Sequence, residues 1–149
     1  DDDTLDDIVT NAPVDLLQMH GTESAGRVRA VKQRFGLPVM KTVSIAGPED
    51  IDVARRYEGT ADRLLFDAKA PPGATRPGGN ALTFDWELLG GQTWNLPWFL
   101  AGGLEAQTLA EAVRVSGARA VDVSSGVEDM PGVKNPAKIR AFLEAAAGL

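Results

Sequence analysis

Side chains and glycines that could do chemistry stand directly after four of five short apolar runs. In chain order these residues are His20, Asp67, Gly102-Gly103 and Ser124-Ser125-Gly126. If the runs are parallel strands, these residues share the rim where the strands end, which is where α/β proteins bind their ligands. A proton-transfer group and two loops of small residues would then face the same ligand.

The two loops of small residues together predict a phosphate-binding cradle. Small residues let backbone N–H groups approach phosphate oxygens, and a following helical turn adds the positive end of its dipole. Either loop alone could simply make a tight turn, which is a common use of glycine. The presence of Gly102-Gly103 and Ser124-Ser125-Gly126 in successive units favours phosphate binding, because the last loops of a βα barrel commonly form such a site.

Asp67 is the candidate proton donor. It follows the run Leu64-Leu65-Phe66, so its carboxyl should emerge at the rim with apolar surface behind it. Partial burial would raise its pKa and suit it to general acid catalysis. The structural alternative is a helix N-cap or an ion pair with Lys69.

Asp122 and His20 are candidate substrate-binding residues. Asp122 lies inside the apolar run 120–123, so its side chain points to one face, either into the mouth of a barrel or toward a buried partner. We favour hydrogen bonds from substrate hydroxyls to this carboxylate. His20 could stack on the substrate or polarise it, although a lone histidine is more often a satisfied structural residue.

The segments that must position these groups alternate between strand-like and helix-like patterns. The five apolar runs are residues 16–19, 39–43, 64–66, 98–101 and 120–123. Their starts are 22 to 34 residues apart, which fits strand–helix units and is too long for hairpins. Between them, apolar residues such as Leu5, Ile8 and Val9 recur at helical spacing. The pattern predicts a parallel sheet with helices packed outside it.

The sequence also marks where helices begin and end. Asn135-Pro136 places a good N-cap before a proline at the first helical position, and Gly47-Pro48 starts another helix. Gly36, Gly59 and Gly117 stand where helices should end. Residues 68–82 interrupt this rhythm with several prolines and glycines, and they are predicted to form either a lid over the substrate or a mobile surface loop.

Composition narrows the classes of function. The chain has 149 residues, a net charge of −6 at pH 7, no cysteine and one histidine. Its length fits one domain over residues 1–149, and its charge argues against binding to nucleic acid or an anionic membrane. Disulfides, zinc–thiolate sites, a cysteine nucleophile and a multi-histidine metal site are excluded within this chain. No apolar run is long enough to span a bilayer, so we expect a cytoplasmic protein.

Five sequence blocks carry a resemblance to a known enzyme family. They are Leu16-Leu17-Gln18-Met19-His20-Gly21, Leu65-Phe66-Asp67, Gly78-Gly79-Asn80-Ala81-Leu82-Thr83-Phe84-Asp85-Trp86, Leu100-Ala101-Gly102-Gly103-Leu104, and Val121-Asp122-Val123-Ser124-Ser125-Gly126-Val127-Glu128 with Pro131-Gly132-Val133-Lys134. In this order they resemble phosphoribosylanthranilate isomerase. The resemblance implies a TIM-type (βα)8 barrel and an Amadori rearrangement in tryptophan biosynthesis, from N-(5′-phosphoribosyl)anthranilate to 1-(2-carboxyphenylamino)-1-deoxyribulose 5-phosphate.

The resemblance also implies roles for single residues. Asp67 resembles the general acid that protonates the furanose ring oxygen and opens the ring. Asp122 resembles the carboxylate near the ribose hydroxyls, and His20 resembles a residue that faces the anthranilate. Gly103, Ser124 and Ser125 resemble the residues whose backbone N–H groups bind the phosphate. No metal or organic cofactor is implied, and the expected partner is the small phosphosugar–anthranilate substrate.

The chain departs from the family pattern in its first strands. The family's first strand carries a Lys-Ile-Cys-Gly-type motif whose cysteine is the general base, and a following strand supplies an arginine for the anthranilate carboxylate. Neither is present here. Alignment by motif makes the five apolar runs strands four to eight, so the chain would supply about five βα units and lack the first three strands. We expect this chain alone to be severely impaired and to need a missing barrel segment or another chain for closure.

Three other interpretations stay open from the sequence. One is a catalytically incomplete barrel fragment that binds phosphate ligands. Another is a different phosphosugar isomerase on a related barrel, such as one acting in histidine biosynthesis. The third is a flavodoxin-like sheet, which would need a different strand order and would place the cradle at a switch point.

Overall fold

The computed structural model describes residues 2–69 and 83–149. Apart from Ala68 and Lys69, the predicted lid lies outside the described residues. Within the described ranges the helices are α1 (Asp2–Asn11), α2 (Ala25–Phe35), α3 (Pro48–Arg55), α4 (Leu109–Ser116) and α5 (Pro136–Ala147). The strands are β1 (Leu17–Met19), β2 (Val39–Ile45), β3 (Arg63–Ala68), β4 (Trp98–Leu100), β5 (Glu128–Met130) and β6 (Val133–Lys134), and single 3₁₀ turns span Trp86–Leu88 and Ser125–Val127.

Strands β1 to β4 form one parallel sheet in which neighbours in sequence are neighbours in space. The prediction of a parallel sheet from the first four apolar runs is therefore confirmed. A flavodoxin-like sheet has the order 2-1-3-4-5, so the sequential order observed here shows that this alternative is wrong. Helices α2 and α3 connect successive strands, as the spacing of the runs predicted.

The fifth apolar run differs from its prediction, because residues 120–123 do not form a strand of the main sheet. Only one parallel bridge, between Leu100 and Val121, joins this run to β4. Two backbone bonds support it, from the Leu100 N–H to the Ala120 carbonyl at 3.0 Å and from the Asp122 N–H to the Leu100 carbonyl at 2.8 Å. This single bridge does not extend into a strand, so the run lies beside β4 without becoming a fifth strand of the sheet.

The last two strands form a separate antiparallel hairpin that the sequence analysis missed. Glu128 of β5 is aligned with Lys134 of β6, and Gly132 in the turn has a φ of 85°. Residues 128–134 lack the alternation of apolar and polar residues from which hairpins are predicted. The hairpin follows the Ser124 loop directly, and Lys134 of β6 donates a hydrogen bond to the Ser124 carbonyl.

Side chains of the sheet alternate between two apolar layers. The outer layer, between the sheet and its helices, contains residues such as Val43, Phe66 and Leu100. The inner layer is smaller and contains Met40, Leu65 and Ala101. This alternation decides which residues reach the rim on the inner side, because successive residues of a strand point to opposite faces.

The predicted helix boundaries are confirmed except at Gly59, because α3 ends at Arg55. The Asn135 side chain caps α5 by accepting hydrogen bonds from the N–H groups of Ala137 and Lys138. Gly36 and Gly117 end α2 and α4 with φ angles of 64° and 75°, in the left-handed region that favours glycine. None of the described helices is both long enough and apolar enough to cross a membrane.

Candidate active site

The residues that the sequence predicted for a binding site meet in one cleft at the rim. The cleft holds about 380 Å³ of space, part of it open to solvent. Its walls include seven of the eight predicted site residues, namely Asp67, Gly102, Gly103, Asp122, Ser124, Ser125 and Gly126. His20 does not line this cleft, but its imidazole lies directly beside Asp67. A carboxyl group and the cradle loops therefore do face a common space.

Asp67 lies on the inner side of β3, where it is 8% exposed. Its Oδ1 accepts a hydrogen bond from the Ala68 N–H at 2.8 Å, and its Oδ2 lies 3.5 Å from His20 Nε2. Lys69 lies 3.9 Å from Asp50 instead, so the alternative ion pair between Asp67 and Lys69 is not formed. The oxygen of Asp67 that faces His20 is left available for proton transfer.

The surroundings of Asp67 favour its protonated form. Burial raises the pKa of this carboxyl, and the negative charge of Asp122 raises it further. The Ala68 N–H and the nearby His20 act in the opposite direction without reversing the shift. An aspartic acid that keeps its proton above the usual pH range can act as a general acid.

Asp122 lies across the cleft and is also shifted toward the protonated state. The residue as a whole is exposed, but the surrounding protein partly desolvates its carboxyl and raises the pKa. His20 and Lys134 oppose that shift. Two carboxyl groups whose pKa values are both raised are suited to binding hydroxyl groups, as donor or as acceptor.

Gly102 brings the backbone of the fourth loop into contact with Asp67. A Cβ at this position would lie 2.6 Å from the Ala68 nitrogen and 3.1 Å from Asp67 Oδ1, and its φ is 86°. Gly126 makes a second close approach, since a Cβ there would overlap the carbonyl oxygen of Leu104. Only glycine fits at either position, so both predicted cradle loops have an identifiable packing role as well.

Three residues that line the cleft have backbone N–H groups without a partner in the described part of the chain. Within residues 2–69 and 83–149, the N–H groups of Gly103, Ser124 and Ser125 donate no hydrogen bond to another residue. Such N–H groups are the donors with which loops bind phosphate oxygens. The helical turn expected after this loop is the single 3₁₀ turn Ser125–Val127.

Lys134 supports the cradle, and the sequence analysis did not assign it a role. Its Nζ donates hydrogen bonds to the carbonyl oxygen of Ser124 at 2.8 Å and to Ser124 Oγ at 3.1 Å. The same ammonium lies 2.8 Å from Glu128 Oε1. Lys134 stands in the block Pro131-Gly132-Val133-Lys134, so the resemblance itself was the only signal that could have found it.

The described residues were compared with the side-chain groupings that hold metal ions in proteins. Among them, no group of three or more histidine, cysteine, aspartate or glutamate side chains is arranged to hold a metal ion.

Comparison with known proteins decides the family. The sequence model described as N-(5′-phosphoribosyl)anthranilate (PRA) isomerase matches residues 1–145. The chain belongs to this family. The isomerase of that name from Paramagnetospirillum magneticum is 58% identical over 148 residues, which cover 99% of this chain and 69% of the relative. The Rhodospirillum centenum isomerase is 58% identical over 146 residues, covering 97% of this chain and 68% of the relative.

Solved structures agree with the family. The phosphoribosylanthranilate isomerase of Thermotoga maritima aligns with a TM-score of 0.82 at 31% identity, over 99% of this chain and 68% of that one. A phosphoribosylanthranilate isomerase in complex with reduced 1-(o-carboxyphenylamino)-1-deoxyribulose 5-phosphate aligns with a TM-score of 0.75 at 28% identity, over 99% of this chain and 66% of that one. The chain is thus a phosphoribosylanthranilate isomerase of tryptophan biosynthesis, with an α/β fold that resembles the TIM-type barrel of these enzymes.

Replacing Gly102 with alanine should destabilise the protein more than the same change at Gly132. Both glycines have nearly the same φ, 86° and 85°, but an added Cβ at Gly132 meets nothing within 4 Å. Gly132→Ala should therefore cost only the left-handed strain of about 1–2 kcal/mol, whereas Gly102→Ala adds a collision with Ala68 and Asp67. Urea unfolding midpoints of the two variants measure the difference. Equal losses would show that the backbone does not need to approach Asp67 so closely.

Asp67→Asn should stabilise the protein at neutral pH. Because the pKa of Asp67 is raised in the folded state, the folded protein binds this proton more tightly, and stability falls as the pH rises from the unfolded pKa through the folded one. Asparagine removes that penalty and still accepts the Ala68 N–H. The gain in urea midpoint should be present at pH 7 and disappear in acid, where the carboxyl of the unchanged protein is protonated in both states.

Asp62→Asn is the control for this titration and should have the opposite sign. Burial acts to raise the pKa of Asp62, but hydrogen bonds from Lys32 and from the Val39 N–H hold it below its usual range. Its contribution to stability is therefore present above the unfolded pKa and is lost as the pH falls through the folded one. If Asp67→Asn loses stability at pH 7 as Asp62→Asn does, the raised pKa of Asp67 is refuted.

Proposed function

We propose that the cleft rearranges N-(5′-phosphoribosyl)anthranilate to 1-(2-carboxyphenylamino)-1-deoxyribulose 5-phosphate, with Asp67 as the general acid. One observation carries this proposal. A carboxyl with a raised pKa lines the same cleft as a cradle whose backbone N–H groups have no partner among the described residues. The related isomerase solved with a reduced product analogue supports this choice of ligand. A substrate with a phosphate at one end and a ring oxygen near the other would engage both groups at once.

Ring opening is the step in which Asp67 acts. It donates its proton to the furanose ring oxygen, the C1′–O4′ bond breaks, and the lone pair of the anthranilate nitrogen forms the C1′=N iminium. Removal of the C2′ proton then gives an enolamine. The enolamine becomes the 2′-ketone when C1′ gains a proton and the hydroxyl on C2′ loses one, so two protons are gained and two are lost, as an isomerisation requires. A buried acid supplies the first proton without competition from bulk water.

The other site residues have binding roles in this proposal. The N–H groups of Gly103, Ser124 and Ser125, with the backbone kept close by Gly102 and Gly126, would donate to the phosphate oxygens. Asp122 faces the ribose hydroxyls from across the cleft, and its raised pKa allows it to donate as well as accept. His20 faces the anthranilate side beside Asp67.

We further infer that the described sheet corresponds to strands four to eight of the family barrel. Four paired strands followed by the parallel bridge at Val121 give five successive parallel positions. Among the described residues, β1 pairs only with β2, and Val121 pairs only with Leu100. Both outer edges would leave backbone groups unpaired, and a further barrel segment or another chain would complete them. That segment would also bring the general base, since this chain has no cysteine.

The alternative is a barrel fragment that binds phosphate ligands without turning them over. The absence of a cysteine in this chain favours it, because the second proton transfer then has no base from the family motif. The two proposals agree on the cradle and differ only in turnover.

Adding the proposed further barrel segment as a separate polypeptide should produce turnover. The probe is the part of the Paramagnetospirillum magneticum isomerase that lies outside its match to this chain. Mixed with this chain it should convert N-(5′-phosphoribosyl)anthranilate, and the same segment with its cysteines replaced by serine should not. Full turnover by this chain alone would show that the closure proposal is wrong. Binding of inorganic phosphate without turnover in the mixture would favour the alternative. The active mixture of this chain and that segment is called the closed barrel.

Asp67→Asn in the closed barrel should lower kcat by about 10²–10⁴-fold with little change in KM, because it removes the proton donor and keeps the side-chain shape. In the unchanged protein, kcat should fall as the pH rises through the raised pKa of Asp67, since only the protonated form donates. Asp62→Asn provides the matched change at a remote carboxylate and should leave kcat intact. Unchanged kcat in Asp67→Asn would remove Asp67 from the mechanism.

A further inference from the structure

Lys41 is a lysine buried in the outer apolar layer, between the sheet and its helices. Its side chain is 2% exposed, and it is aligned with Met19 of β1 and Leu64 of β3. The Nζ donates to the Thr42 carbonyl at 2.7 Å and lies 5.5 Å from the centre of the Tyr57 ring. Burying an ammonium is costly unless its donors are used and its charge is balanced. The proposed reaction gives this residue no role, so its burial needs another explanation.

The remaining contacts of Lys41 converge on the loop that carries His20. Its Nζ donates to the carbonyl oxygens of Met19 at 3.3 Å and Gly21 at 2.8 Å, and it lies 3.1 Å from Glu23 Oε2. Met19 and Gly21 flank His20 in the chain. One ammonium therefore fixes the backbone on both sides of the histidine, which sets the direction in which the imidazole leaves the backbone.

Glu23 contacts the same loop, and Lys41 and Glu23 together are called the loop clamp. Both of its carboxylate oxygens accept the Gly21 N–H at 3.1 Å, and its carbonyl oxygen accepts the Tyr57 hydroxyl at 2.8 Å. Burial acts to raise the pKa of Glu23, but backbone N–H groups and the Lys41 ammonium hold it below its usual range. Glu23 is thus the ionised partner that balances the buried charge of Lys41.

The loop clamp, rather than a hydrogen bond, places His20. Its Nε2 is buried and has no hydrogen-bond partner among the described residues, although Asp67 Oδ2 lies 3.5 Å away. We propose that Lys41 is a positioning residue whose ammonium fixes the His20 loop and so holds the imidazole against the Asp67 carboxyl. The proposal rests on the roles of Asp67 and His20 proposed above, and it adds a residue from the opposite face of the sheet.

The sole histidine of the chain makes this coupling directly measurable. With ¹³C-labelled histidine, His20 gives the only imidazole signals. Asp67→Asn should shift these signals in the otherwise unchanged protein, because it replaces the titratable carboxyl beside the ring with an amide. In a Lys41→Met background, where the apolar stem is kept and the ammonium is lost, the same Asp67→Asn change should no longer shift them.

The outcomes separate the two proposals. If Asp67→Asn does not shift the His20 signals in the unchanged protein, the proposed contact of the site itself is wrong. If it shifts them equally in both backgrounds, the site stands and the role of Lys41 is refuted. Lys32→Met is the matched control, because it removes a lysine outside the site. The Nζ of Lys32 pairs with Asp62 Oδ1 at 2.6 Å. Lys32→Met should leave the Asp67→Asn shift of His20 unchanged.

A milder variant keeps the test decisive if Lys41→Met does not fold. Glu23→Gln removes the charge that Lys41 faces and leaves the lysine in place, and it should reduce the Asp67→Asn shift of His20. An unreduced shift in this variant would overturn the proposal.

Kinetics in the closed barrel give an independent readout. Lys41→Met should lower kcat about 10–100-fold, as a displaced catalytic contact does. Because the effect passes through His20, adding Lys41→Met to His20→Ala should cause little further loss. A merely structural lysine would instead give additive losses in the double variant, and additivity would refute the positioning role.

Discussion

Parallel pairing between β3 and β4 determines where the groups of the cleft lie. Phe66 is aligned with Leu100, and the Ala101 N–H donates to the Phe66 carbonyl at 2.7 Å. The next residues, Asp67 on one strand and Gly102 on the other, therefore come into contact where the strands end. A register slip of one residue would turn the carboxyl toward the helices, because side chains alternate between faces. The proton donor and the cradle share a space only because this register is kept.

The electrostatics of the cleft follow from that placement. Burial and Asp122 favour the neutral form of Asp67, while the Ala68 N–H and His20 limit the shift. A group held this way is costly to the folded state at neutral pH, which is a common property of catalytic carboxyls. The loop clamp stabilises the loop that carries His20, through the hydrogen bond from Lys41 to the Gly21 carbonyl. Lys134 stabilises the Ser124 loop in the same way, through the Ser124 carbonyl.

Much of the fold and the site could be predicted from sequence because both follow from periodic patterns. Apolar runs separated by helical stretches predicted β1 to β4. Because the loops that follow parallel strands share one rim, the sequence also predicted that Asp67 and Ser125 lie close together. The run 120–123 is joined to β4 by a single bridge and does not extend into a strand, which its apolar pattern could not foretell. Lys41 was missed because a lysine inside an apolar run gives no sign of burial, and its partners at Gly21 and Glu23 become neighbours only through strand pairing.

The two glycine contacts have a consequence for engineering this scaffold. At Gly102 and Gly126 the space for a methyl group is already occupied by backbone atoms of neighbouring loops. Libraries that randomise the rim to accept other phosphorylated sugars would therefore lose most members to misfolding if these two codons are varied. Variation is better directed at the exposed position Asp122, where a new side chain can alter selectivity without displacing the backbone.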